Sequence, residues 1–91
     1  RPGANKDNLE TYIKRLSEIE KVATGFPGVH KAFSVQAGRE LRVFVSPEEV
    51  DDLQALKLSH EIARKIEKDM QYPGKIKVEV IREKRVEAFA E

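Results

Sequence analysis

Phe33-Ser34-Val35-Gln36-Ala37-Gly38-Arg39-Glu40-Leu41-Arg42-Val43-Phe44-Val45 is the stretch that decides the fold. Phe33, Val35 and Ala37 alternate before Gly38-Arg39, and Leu41, Val43 and Val45 alternate after it. A period of two, interrupted by a glycine-containing dipeptide, predicts a β-hairpin whose first strand covers 29–37. One face of this hairpin is apolar. The other carries Ser34, Gln36, Arg42 and, against the pattern, Phe44.

Helical periods lie on both sides of the hairpin. Upstream, Leu9, Tyr12, Ile13, Leu16, Ile19 and Ala23 recur at helical intervals, which predicts a helix over 7–24 with charged residues on its other face. Asp7 and Glu10 have the spacing of a capping box. Gly25-Phe26-Pro27-Gly28 ends the helix, since glycine suits a C-terminal cap and proline cannot continue one. Downstream, Ser46-Pro47 predicts a short turn and Asp51 the start of a second helix over 51–71. Ala55, Ile62, Ala63, Ile66 and Met70 form its apolar stripe, flanked by Leu58 and Ser59, and Tyr72-Pro73-Gly74 ends it. A last strand over 76–83 turns Ile76, Val78 and Val80 to the core and Lys77, Glu79 and Ile81 away from it.

The order α-β-β-α-β predicts an α/β domain, an α+β two-layer sandwich with two helices packed on one face of a three-stranded sheet. A right-handed crossover through the second helix can place the third strand parallel to the second and beside it; the alternative sets it antiparallel to the first, and the strongly apolar second strand favours the former as the central one. The domain spans 7–83, with 1–6 as a linker. Residues 84–91 read equally as strand extension, short helix or tail. The opening Arg1-Pro2-Gly3-Ala4, without Met, reads as a cut within a longer protein or a processed end.

Composition narrows the function. The 91 residues are 40% hydrophobic and 36% charged, a globular balance. Lys plus Arg number 17 and Asp plus Glu 16, so a net charge of +1 exerts no general pull on nucleic acid or anionic lipid. There is no cysteine, which removes thiolate and disulfide chemistry and suits a cytosolic compartment. No apolar run is long enough to span a bilayer, and no signal peptide is present.

Catalytic chemistry finds little to work with. Metal sites need converging ligands, and the only histidines are His30 and His60. His60-Glu61 starts like a zinc-protease helix, but the position of its second histidine holds Arg64. Ser17, Ser34, Ser46 and Ser59 have no base in a telling position. Asp51-Asp52 suits the positive end of a helix dipole. Gly25-Phe26-Pro27-Gly28 spells the GxxG of a KH loop but joins a helix to a strand, with neither a cation nor a proline N–H to offer a phosphate. No catalytic, cofactor-binding or metal residue is assigned.

The helix-free face of the sheet is different. Arg42, Phe44, Lys77, Glu79 and Ile81 gather there, an apolar pair with a charged rim. This pattern suits a protein interface, most simply a homodimer. It suits a single-stranded RNA surface too, or a solvated face with two stray hydrophobes.

Three stretches then carry a resemblance. Arg1-Pro2-Gly3-Ala4 followed by Leu9-Glu10-x-Tyr12-Ile13-Lys14-Arg15-Leu16 resembles the segment leaving the HD domain of the bacterial ribonuclease Y family. The hairpin from Phe33 to Val43 and the run from Tyr72 to Glu83 are similar to that family's C-terminal domain. The ending Arg85-Val86-Glu87-Ala88-Phe89-Ala90-Glu91 departs from its usual tail. The resemblance implies a parent endoribonuclease that initiates mRNA decay at the cytoplasmic side of the cell membrane. Such a parent has an N-terminal membrane helix, a coiled coil, an RNA-binding KH domain and a divalent-metal-dependent HD domain. The HD domain's histidines and aspartates have no matching positions here. The resemblance thus implies an accessory domain without cofactor or membrane contact, serving dimerisation or protein binding, or else auxiliary RNA binding.

Overall fold

The computed structural model describes residues 2–70 and 74–91. Helix α1 (Pro2–Thr24) leads into strand β1 (Val29–Val35), a tight turn at Gln36–Gly38, strand β2 (Glu40–Val45), helix α2 (Asp52–Met70) and strand β3 (Lys77–Arg82). The sheet order is β1-β2-β3, with β1 antiparallel and β3 parallel to β2. Both helices pack on one face, and β3 lies beside the central strand as the crossover requires.

The core is the layer between helices and sheet. Ile19 and Ala23 of α1, Leu41, Val43 and Val45 of β2, and Ala55, Leu58, Ile62 and Ile66 of α2 are buried, together with Ala32 and Val50. Val78 and Val80 of β3 pack against them from a half-buried position. Leu58 belongs to this core rather than to its flank.

Helix α2 starts where its cap chemistry dictates. Asp51 Oδ1 accepts from the Gln54 N–H, and Gln54 Oε1 accepts from the Asp51 N–H, both at 2.8 Å. This reciprocal box satisfies two donors that a helix start would leave open. Ser46 heads the separate turn before it, its carbonyl accepting from the Glu49 and Val50 N–H groups. At the far end, Tyr72 and Pro73 of the expected stop lie outside the described residues.

Helix α1 differs from its expected form. It begins at Pro2, five residues before the expected start at Asp7, so position 7 lies within the helix. Proline is tolerated at a first helical position because its missing N–H has no acceptor there. The apolar stripe is also longer than the surface it serves. A helix of 23 residues is about 34 Å long, against about 23 Å for a strand of seven. Ile19 and Ala23 are buried, while Leu9 and Ile13 each remain 56% exposed.

The hairpin differs in its phase. β1 ends at Val35, two residues before the expected limit, and Ala37 sits in the turn. Ala32 and Ser34, not Phe33 and Val35, point toward the helices. Ser34 donates its N–H to Glu20 Oε2 at 2.8 Å and its hydroxyl to the Leu16 carbonyl at 3.4 Å. So close an approach of α1 leaves room for small side chains only, and the larger Phe33 is driven to the opposite face.

Arg82 fastens the end of β3 to the turn before α2. Its Nε donates to the Val50 carbonyl at 2.6 Å, one terminal nitrogen to Asp52 Oδ1 at 2.6 Å and the other to the Pro47 carbonyl at 3.0 Å. Asp52 is open to solvent, so that ion pair adds little. The part-buried bond to Val50 carries most of the effect. Arg82→Ala is expected to lower stability by about 1 kcal/mol, read as a shift in the urea midpoint at unchanged slope.

Candidate functional site

Strand pairing arranges the helix-free face as three rows. Lys31, Phe44 and Ile81 form one row across β1, β2 and β3; Phe33, Arg42 and Glu79 form the next; Val35, Glu40 and Lys77 form the third. Side chains paired across neighbouring strands share a face, and so all five residues singled out from the sequence, Arg42, Phe44, Lys77, Glu79 and Ile81, come together here. Ser34 does not, because it faces α1, and Gln36 lies in the turn.

The pairing adds Phe33 and Lys31. The Phe33 and Phe44 rings meet edge to face, with centroids 6.0 Å apart and planes at 68°. Lys31 Nζ stands 5.1 Å from the Phe44 centroid and 5.8 Å from that of Phe33, within reach of a cation–π attraction to both. Phe33 is 46% exposed. Reading its strand in the opposite phase hid it. The signal in the sequence was Ala32 and Ser34, the two smallest side chains of the strand, spaced two apart to admit a close helix.

Arg42 occupies the centre. Its Nε donates to Glu40 Oε2 at 3.0 Å and lies 3.8 Å from Glu79 Oε1. The Arg42 guanidinium holds the Glu40 carboxyl below its usual range, and Glu40 in turn raises Arg42. Both groups are therefore charged across the physiological range. Lys77 completes the rim beside Glu40. The face thus combines an aromatic pair and Ile81 with three cations and two carboxylates in alternation.

Other chemistry is sparse. Among the described residues no group of three or more His, Asp or Glu side chains converges to hold a metal ion. His30 lies 3.8 Å from Glu49 on the surface. Gly25-Phe26-Pro27-Gly28 forms the turn from α1 to β1, closed by bonds from Phe26 N–H to the Ala23 carbonyl and from Val29 N–H to the Phe26 carbonyl. No helix among the described residues is long and apolar enough to cross a membrane.

Comparison with known proteins finds close relatives. Ribonuclease Y of Desulforudis audaxviator is 57% identical over 90 residues, 99% of this chain and 18% of that protein. Ribonuclease Y of Pseudothermotoga lettingae is also 57% identical over 90 residues, and that of Chloroflexus aurantiacus 56%, each with 99% of this chain and 18% of the relative covered. The chain therefore spans less than a fifth of the length of these relatives. No protein-family model matches it, and no solved structure does.

Proposed function

The chain belongs to the ribonuclease Y family over the segment it matches, and from that premise we propose that it is a non-catalytic accessory domain of such an endoribonuclease, associating with a second copy through the open face of its sheet. In this reading the domain follows the HD domain, and the parent starts mRNA decay from the cytoplasmic side of the membrane. The metal and the cleavage chemistry belong to that parent, and this domain contributes contact.

The observation that supports self-association is the mixed character of the face. A two-fold dimer buries the same patch on both copies, so the patch must offer both halves of each interaction. Phe33, Phe44 and Ile81 supply apolar area, while Arg42 and Lys77 of one copy find carboxylates in Glu40 and Glu79 of the other. Lys31 poised over two aromatic rings favours a second reading, a platform for unpaired RNA bases. The two carboxylates beside Arg42 weigh against it, since they repel phosphate.

Sedimentation equilibrium across a concentration series separates the two. The intact chain is expected to approach dimer mass, and Phe44→Glu to shift it to monomer with unchanged circular dichroism. A monomer at every concentration overturns self-association. Binding of single-stranded RNA that falls steeply with salt and weakens in Lys31→Ala would put the RNA reading in its place.

A further inference from the structure

The two outer strands of the sheet are treated differently. At the edge of β1, the Ser34 N–H is taken by Glu20. At β3, Lys77 and Glu83 donate their N–H groups inward, to the Arg39 and Val45 carbonyls at 2.8 and 3.0 Å. Backbone direction alternates along a strand, so Val78, Val80 and Arg82 turn their N–H and C=O groups outward. Among the described residues no turn or loop backbone bonds to Val78 or Val80. Beside this edge runs a groove of about 530 Å³ between α2 and β3, lined by Ala55, Leu56, Ser59, Val78 and Val80, with the Asp52–Arg82 ion pair at one end. An open strand edge beside a helix, with small and apolar side chains between polar ones along its groove, is suited to accept an added strand.

A candidate strand lies in the same chain. Residues 84–91 form no helix or strand, and Val86 and Phe89 are 87% and 88% exposed. Their path starts on the open face, where Glu83, Lys84 and Arg85 line a groove with Lys31 and Phe44. We infer that residues 84–91 of one copy add to the β3 edge of a second copy as an antiparallel fourth strand.

One register fits the groove side of that strand and pairs charges at its two ends. With Ala88 opposite Val80, Ala90 falls opposite Val78 and Val86 opposite Arg82, placing three small apolar side chains along the α2 groove. On the other face Glu91 falls opposite Lys77 and Arg85 opposite Glu83, opposite charges at both ends, while Phe89 falls opposite Glu79 and reaches Ile81 on the diagonal, and Glu87 falls opposite Ile81. The inference rests on the reading of the domain as self-associating and assigns that association a second contact.

Amide hydrogen exchange on the intact chain tests it. Raising the concentration is expected to slow exchange at Val78 and Val80 by about tenfold or more, as for amides that enter a ladder. Val86→Asp with Phe89→Asp is expected to abolish that gain, and a synthetic peptide of residues 84–91 added to the double variant to restore it. Slow exchange already present at high dilution would indicate a segment folded back on its own strand and would overturn exchange between copies. Unprotected amides at all concentrations, or equal protection in the double variant, would overturn it as well. Association through the open face is read separately, by mass and by Phe44→Glu, so either claim can fail without the other.

Discussion

Ile62→Ala is expected to destabilise the domain by about 2–5 kcal/mol, the largest effect of any single truncation considered. Ile62 is fully buried in the α2 stripe, among the side chains that fill the layer between helices and sheet. Removing its outer carbons costs their transfer from water and leaves a void that β2 and α1 cannot close without moving buried side chains of their own. Lys65→Ala, less than one turn away, is the control. Lys65 pairs with Asp69 at 2.9 Å on an exposed face, and its loss is expected to cost less than about 0.5 kcal/mol. Chemical denaturation of both variants checks the helical phase directly: equal losses would mean that α2 packs by another face.

Gly38→Val is expected to cost about 1–3 kcal/mol. The turn between β1 and β2 holds three successive residues at positive φ: Gln36 at 54°, Ala37 at 56° and Gly38 at 82°. The first two already accept a conformation that L-residues rarely adopt. Gly38 is buried, and a β-branched side chain there meets both the backbone penalty and the surrounding structure. A drop in thermal midpoint with the native far-ultraviolet spectrum retained is the expected result. An unchanged midpoint would mean that position 38 has a different backbone conformation in solution.

Much of this architecture is legible without coordinates. Val43 and Val45 alternate on a strand whose neighbours must cover both edges, and the Asp51-to-Gln54 spacing marks the start of α2 to within a residue. The sequence allows the third strand on either side of the hairpin, and the apolar run Leu41, Val43, Val45 favours the central β2 with a parallel β3 that the structure has. What the periodicity misplaced was β1. Phe33 and Val35 look like core residues because apolar alternation is indifferent to which face is covered. The side chain that decides is Glu20, fourteen residues earlier, which reaches the Ser34 N–H and draws α1 against the strand. Contacts of that separation leave no mark on a local pattern. The overhang of α1 escaped for a related reason: Leu9 and Ile13 continue the period of Ile19 and Ala23, and periodicity carries no information about where the sheet beneath runs out.

The same limits shaped the reading of the open face. Arg42, Phe44, Lys77, Glu79 and Ile81 could be gathered from β2 and β3 alone, since both strands were phased correctly. Phe33 and Lys31 entered only through the register Phe33 to Arg42 and Lys31 to Phe44. They change its character, turning one stray aromatic into an edge-to-face pair beneath a cation.

The central claim, that this face meets a second copy, is tested most directly by isotope-filtered NOE spectroscopy on a one-to-one mixture of labelled and unlabelled chain. The account predicts intermolecular NOEs between the aromatic protons of Phe33 and Phe44 and the methyl groups of Ile81 and Val35. Intermolecular NOEs confined to Leu9 and Ile13 of α1, or none at concentrations where the open-face protons are fully resolved, would contradict it.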